Sequence, residues 1–115
     1  MVHKMRLVNF AFMAIKKGTK DIEVRLNDEK RQLIHIGDLI EFTNIDTSKK
    51  LVVKVIDLYK FDNFSDLFNS FNYTRLGLNK DDDASIMDNF YTKEEQDKYR
   101  ALGIEIELLR DFISN

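Results

Sequence analysis

The stretch Gly18-Thr19-Lys20-Asp21-Ile22-Glu23-Val24-Arg25 decides the predicted fold of this chain. Its glycine ends a helical pattern, and from Asp21 to Leu26 apolar and charged residues alternate, as is typical of a β-strand. The apolar side chains share one face of the strand, and Glu23 and Arg25 share the other. Together with Lys20, they place an ammonium, a carboxylate and a guanidinium on one short segment. The same pattern also fits a solvated surface strand.

Length and composition predict a single domain over residues 1–115. The 115 residues are 43% hydrophobic and 33% charged, which suits a chain that buries a core and keeps a polar surface. The absence of cysteine excludes disulfide partners, thiolate metal sites and a cysteine nucleophile. No apolar run is long enough to cross a membrane, and no secretory signal follows Met1. These features favour the cytoplasm.

Charge is unevenly distributed along the chain. The net charge is only −2, which argues weakly against avid nonspecific binding to nucleic acid. Residues 1–60 nevertheless carry 12 Lys and Arg against 8 Asp and Glu, whereas residues 61–115 carry 6 against 12. Lys16, Lys17, Lys30 and Arg31 cluster near the opening segment and favour an anionic ligand there. Interleaved acidic residues leave a solvated surface as the alternative.

The order of predicted elements indicates an α+β domain. Helical spacing predicts a helix over Asn9–Lys17, capped by Asn9 and ended by Gly18. Strands are predicted at 21–26, 39–44 and 51–61. Further helices are predicted from Asn63, from the acidic run at 81–83, and from a Thr92 capping box to about Leu102-Gly103. A strand at 104–108 follows, so we expect a small, mostly antiparallel sheet that curls into a barrel with flanking helices.

This order of elements resembles the ASCH domain, a PUA-like β-barrel family related to RNA-modification modules. The resemblance covers about residues 5–112. It rests on the opening segment, on Ile36-Gly37-Asp38-Leu39-Ile40-Glu41-Phe42, and on the tail from Phe90 to Ile104. The tail is similar to that of a small, single-domain bacterial branch. The resemblance implies a cleft suited to RNA or a nucleotide-like ligand, lined by the Gly-x-Lys-x-x-Glu-x-Arg segment.

The resemblance also implies an alternative activity. Some small bacterial relatives are amidohydrolases that deacetylate N-acetylated cytidine with a lysine, a threonine three residues later and a distant glutamate. Lys20 matches the lysine, but the threonine position holds Glu23. Where the distant glutamate would lie, the chain offers Asp62 and Asp66, and no glutamate precedes Glu94. If the protein is an enzyme acting on a modified nucleoside, Lys20 and Glu23 are the predicted catalytic residues.

The predicted ligand-binding residues are Lys17, Lys20, Glu23, Arg25, Tyr73 and Tyr91. Lys20 is interpreted as an electrostatic anchor rather than a general base, because Glu23 favours its charged form. Glu23 and Arg25 either contact a common ligand or pair with each other. Tyr73 and Tyr91 flank irregular segments and are candidates for base stacking.

Other motifs that carry chemistry are missing from the sequence. His3 and His35 lack the spacing of metal ligands, and the aspartates at 81–83 suit a helix N-terminus better than a divalent cation. No phosphate-binding loop or dinucleotide-binding glycine motif occurs. We therefore predict no metal and no cofactor. The aromatic residues from Tyr59 to Phe71 have helical spacing and are predicted to pack in the core.

Overall fold

Five strands and three α-helices build the fold. The computed structural model describes residues 1–110, so the last two residues of the predicted core, 111 and 112, lie outside it. The strands are β1 (Val2–Leu7), β2 (Ile22–Leu26), β3 (Leu39–Asn44), β4 (Lys50–Phe61) and β5 (Ala101–Leu108). The helices are α1 (Asn9–Lys17), α2 (Phe64–Ser70) and α3 (Lys93–Tyr99), and 3₁₀ turns cover Arg31–Leu33 and Ala84–Asn89.

The strands form one sheet in the order β1-β3-β4-β5-β2. The β1–β3 pair is parallel, and the other three pairs are antiparallel. The sheet curls into a half-barrel whose two edge strands are β1 and β2. This arrangement confirms the predicted α+β, PUA-like, mostly antiparallel barrel with flanking helices. In the described part of the chain, no helix is long and apolar enough to span a bilayer.

Two hydrophobic clusters cover β2 and the rest of the sheet. The first packs α1, through Phe12 and Ile15, against β1, β3, β4 and β5. The second packs Ile22 and Leu26 of β2 against α2 and the segment around Met87. The aromatic residues from Tyr59 to Phe71 belong to this second cluster or pack against it, as predicted. Every residue of β2 is therefore buried or half-buried, although β2 is an edge strand.

The end of α1 follows the sequence prediction, but its beginning does not. Gly18 ends the helix in the left-handed conformation, with φ +87°. Val8, rather than Asn9, occupies the N-cap position and makes no cap hydrogen bond through its side chain. The main-chain N–H of Asn9 instead donates to Asp46 Oδ2 at 3.0 Å, and the Asn9 side chain accepts from Asn44 Nδ2 at 2.9 Å. A carboxylate from the turn after β3 therefore replaces the expected local cap.

Two predictions for the second half of the chain were wrong in detail. The Thr92 capping box is present, but α3 ends at Tyr99 rather than near Leu102-Gly103. Arg100 then adopts φ +68°, and β5 begins at the next residue. Strand β5 lies between β2 and β4, and its Leu102 is buried in the core. The acidic run at 81–83 precedes a 3₁₀ turn instead of an α-helix, and Asp83 caps that turn.

Candidate ligand-binding cleft

A cleft of about 330 Å³ lies over β2, within the size range of small-molecule sites. Four parts of the chain line it: residues 6–11, Lys20 with the middle of β2, Phe68 of α2, and residues 76–91. Most of the lining is apolar. The polar and charged residues in the lining are Arg6, Lys20, Glu23, Arg25, Asn79, Asp82 and Tyr91. The predicted segment therefore supplies three of the five charged residues that line a largely apolar cleft.

Lys20 is buried, with only 4% of its surface exposed. Its Nζ donates to the main-chain carbonyls of Ile22 and Leu76, each at 2.7 Å, and lies 3.1 Å from Glu23 Oε1. An ammonium has three N–H donors, so these contacts use all of them. Lys20 therefore joins β2 to the segment around Leu76 and leaves no donor for a ligand.

Glu23 is also buried, and its carboxylate is fully engaged. Oε1 accepts from the main-chain N–H of Val24 at 3.2 Å and from Lys20. Oε2 lies 2.8 Å from both Nε and Nη2 of Arg25. These four contacts match the roughly four acceptor sites of a carboxylate. Burial raises the pKa of Glu23, but the charges of Arg25 and Lys20 outweigh burial and hold this pKa below its ordinary value.

Lys20, Glu23 and Arg25 form a charged trio, and Arg25 is the member that retains an unused hydrogen-bond donor. Its Nη2 also donates to the main-chain carbonyl of Arg6 at 2.8 Å. Within residues 1–110, Nη1 has no hydrogen-bond partner. Burial lowers the pKa of the guanidinium, but Glu23 more than offsets burial and raises this pKa above its ordinary value. Arg25 therefore presents a permanent positive charge and an unused pair of N–H donors to the cleft.

The loop after α2 supports the trio from behind. The main-chain carbonyl of Arg75 accepts from the N–H groups of Asp21 and Ile22, at 3.0 and 2.9 Å. The Arg75 guanidinium also pairs with both carboxylate oxygens of Asp21, at 2.9 and 3.2 Å. This double attachment sets the position of Leu76, whose carbonyl accepts from Lys20.

The Lys20 side chain occupies the space that a side chain at position 77 would fill, and this position is a glycine. Gly77 has φ +72°, and a Cβ at this position would lie 2.5 Å from Cδ of Lys20. A side chain here would therefore be strained and would also collide with the lysine. No sequence motif identified this glycine, because the contact joins residues that are distant in the chain.

The other predicted binding residues are spread more widely. Tyr91 lines the cleft and stacks on Phe64, with ring centroids 6.0 Å apart and planes 5° apart. Tyr73 lines a smaller neighbouring groove of about 180 Å³. Lys17 is exposed at the end of α1 and is not part of the cleft lining. The structure therefore brings together Lys20, Glu23, Arg25 and Tyr91, and places Lys17 and Tyr73 outside this group.

The cleft residues that were not predicted from the sequence include Arg6, Phe10 and Phe90. Arg6 lies on β1, a strand that the sequence pattern did not predict. Phe10 has helical spacing with Met13 and Ala14 and was interpreted as part of an apolar helix face. Phe10 and Phe12 are two residues apart and cannot both face the core on one helix, so this spacing indicates that one of the two rings is exposed.

The two histidines meet at one carboxylate. His3 Nε2 lies 2.8 Å from Asp38 Oδ2, and the main-chain N–H of His35 donates to the same oxygen at 3.0 Å. These hydrogen bonds, the His3 bond foremost, hold the pKa of Asp38 at about 2. In the part of the chain that the structure covers, no group of three or more potential metal ligands occurs.

The fold and the cleft define a small PUA-like domain with a charged trio in a largely apolar site. The model of the ASCH domain family matches residues 5–110. The chain therefore belongs to the ASCH domain family, whose PUA-like fold is often associated with RNA binding. No protein with a curated description matches the chain significantly.

Three solved structures are similar to this chain. The crystal structure of hypothetical protein PH0355 is 32% identical with a TM-score of 0.83, and the match covers 95% of this chain and 100% of that one. The solution structure of protein PF0455 from Pyrococcus furiosus is 30% identical with a TM-score of 0.74, covering 95% and 98%. The crystal structure of a mutant ZmASCH protein from Zymomonas mobilis is 15% identical with a TM-score of 0.61, covering 99% and 73%, and shows the fold alone.

Proposed function

We propose that the protein binds RNA or a nucleotide in this cleft, and that Arg25 contacts a phosphate group of the ligand. The observation that carries the proposal is the unused Nη1 of Arg25 beside a fully engaged Glu23. Arginine presents a planar fork of donors that suits phosphate oxygens. The cleft therefore offers a charged donor pair next to apolar surface.

The balance of charge supports an anionic ligand. Lys20 and Arg25 are both positive and share the single negative charge of Glu23, which leaves a net charge of +1 on a group in which Lys20 and Glu23 are buried and Arg25 is half-buried. A buried charge without compensation is unfavourable, and a ligand that carries a negative charge relieves this cost. A neutral nucleoside does not, so phosphate-bearing ligands fit the site better.

The alternative function, an amidohydrolase acting on an N-acylated or otherwise modified nucleoside, has less support. A general base needs a free lone pair and a pKa near the working pH. The Glu23 oxygens already accept four contacts, and the pKa of Glu23 is lowered. Lys20 has no N–H group left to stabilise an oxyanion. The trio is therefore better suited to holding Arg25 in place than to proton transfer.

Isothermal titration with nucleosides, nucleoside 5′-monophosphates and short single-stranded RNAs tests the proposal. We expect phosphate-bearing ligands to bind more tightly than nucleosides, and their affinity to fall as salt rises. Arg25→Met should weaken phosphate-bearing ligands by about 1.5–3 kcal/mol, roughly 10- to 150-fold.

Arg100→Met is the matched control for this experiment. It removes the same charge from an exposed arginine that pairs with Asp62 and does not line the cleft. We expect it to leave affinity nearly unchanged once the fraction of folded protein is checked by circular dichroism. Equal affinities of wild type and Arg25→Met for a phosphate-bearing ligand would refute the proposed role of Arg25.

A further inference from the structure

Two phenylalanine rings are exposed where they line the cleft. Phe10 is 60% exposed and Phe90 is 66% exposed, and both belong to the cleft lining. Phe112 lies outside the described residues, and every other phenylalanine in residues 1–110 is buried or half-buried. Exposed phenylalanine is therefore confined, in this part of the chain, to the cleft.

Core packing does not account for these two rings. Helix α1 contributes Phe12 and Ile15 to the core, and the turn before Phe90 contributes Met87. Neither Phe10 nor Phe90 belongs to a hydrophobic cluster. Exposed apolar surface at the edge of a cleft is typical of a binding site.

The rings come from different elements and offer separate faces. Phe10 lies in the first turn of α1, and Phe90 follows the 3₁₀ turn Ala84–Asn89. Among residues 1–110, no ring-to-ring contact involves either side chain. Two separate aromatic faces suit two successive bases, whereas a free mononucleotide has only one.

We propose, on the basis of the proposed function, that Phe10 and Phe90 stack on unpaired bases of single-stranded RNA while Arg25 contacts its phosphate. Stacking on aromatic side chains requires bases that are free of a duplex, and any base can stack. The ligand class is therefore single-stranded RNA with little sequence preference. Double-stranded RNA keeps its base faces covered and is excluded from this mode of binding.

Fluorescence anisotropy with a labelled single-stranded RNA hexamer tests the proposal. The comparison ligands are an RNA hairpin of the same composition with a fully paired stem, a nucleoside 5′-monophosphate and ribose 5-phosphate. Phe10→Ala and Phe90→Ala should each lower the affinity for the hexamer roughly 5- to 100-fold. Both side chains are exposed, so the variants should keep the thermal stability of the wild type.

Ile36→Ala is the matched control, because Ile36 is 62% exposed and does not line the cleft. It should bind the hexamer like the wild type. The stacking proposal also requires the hexamer to bind more tightly than the paired hairpin and the monophosphate, and the monophosphate more tightly than ribose 5-phosphate.

The outcomes separate the two proposals. If hexamer binding depends on Arg25 but not on either phenylalanine, the stacking proposal is wrong and the proposed function stands. Equal affinities for hexamer and hairpin, or for hexamer and monophosphate, would also overturn stacking on a single strand. If no RNA or nucleotide binds, or if Arg25→Met has no effect, the proposed function itself is wrong.

Discussion

The Arg25 guanidinium donates a hydrogen bond to the main-chain carbonyl of Arg6 at 2.8 Å, and this bond connects the two edge strands of the sheet. Strands β1 and β2 are the farthest apart in the strand order, so the sheet must curl for them to meet. Arg25, which we propose to bind phosphate, therefore also helps to hold the two edges of the curled sheet together. For this reason, binding data on Arg25 variants need a parallel measurement of stability.

Gly77→Ala should destabilise the protein more than an ordinary glycine substitution. A left-handed backbone conformation costs an L-residue about 1–2 kcal/mol, and a forced contact in a packed region adds about 1–3 kcal/mol. Both costs apply at Gly77, because its Cβ would lie 2.5 Å from Cδ of Lys20. Urea denaturation monitored by circular dichroism measures the change in the free energy of unfolding.

Gly37→Ala provides the control for that experiment. Gly37 has φ +93°, but nothing lies within 4 Å of the position of its Cβ. This variant should therefore show the backbone cost alone, about 1–2 kcal/mol. If the two glycine variants lose the same stability, the contact between Gly77 and Lys20 is unimportant.

Lys20→Met should cost about 3–5 kcal/mol of stability, because it removes one partner of a buried ion pair. It also leaves the carbonyls of Ile22 and Leu76 without their donor. Lys50→Met is the comparison: Lys50 lies 3.6 Å from Glu41 on the surface, and such pairs contribute about 1 kcal/mol or less. Similar losses in the two lysine variants would argue against a structural role for Lys20.

Asp38 should contribute to the acid sensitivity of the fold. Its pKa is about 2 in the folded protein, against about 3.9 in an unfolded chain. A carboxyl group with a lowered pKa stabilises the fold above its unfolded pKa and loses this effect as pH falls through the folded value. The stability advantage of wild type over Asp38→Asn should therefore decline as pH falls from about 4 to about 2. Urea denaturation at several pH values checks this, and a constant difference across this range would contradict it.

N-acetylated cytidine should be a poor substrate. The hydroxyl position of the amidohydrolase pattern holds Glu23, and Lys20 has no spare donor. We expect the release of acetate, followed by chromatography, to stay well below about one turnover per second. A faster rate that is lost in Glu23→Gln would show that the trio rearranges when substrate binds.

Local patterns in the sequence were sufficient to predict most elements of the fold. The strand 39–44, the Asn63 cap and the Thr92 capping box are present as predicted. Strand β1 was missed because only Met5 and Leu7 of its six residues are buried, which leaves too short an alternation to recognise. Its parallel pairing with β3 is a long-range feature that local periodicity does not carry.

Long-range contacts in the candidate site were likewise not predictable from local sequence patterns. Alternation along β2 placed Glu23 and Arg25 on one face, and Lys20 joined them in the prediction only because it precedes the strand in sequence. In the structure the three side chains are in contact. Which of them keeps a free donor depends on the carbonyls of Leu76 and Arg6, which come from distant segments. The sequence therefore predicted the members of the trio, and only the structure distinguishes the supporting lysine from the arginine that faces the cleft.

The strand order also bears on how the protein is made. Strand β2, which carries Glu23 and Arg25, pairs only with β5, near the end of the described chain. Only β3 and β4 form a local hairpin, so most of the sheet depends on slow, long-range pairing. During synthesis on the ribosome, β2 has no partner strand until residues 101–108 have emerged. The nascent chain therefore completes the strand pairing beneath its cleft only after residues 101–108 have left the ribosome.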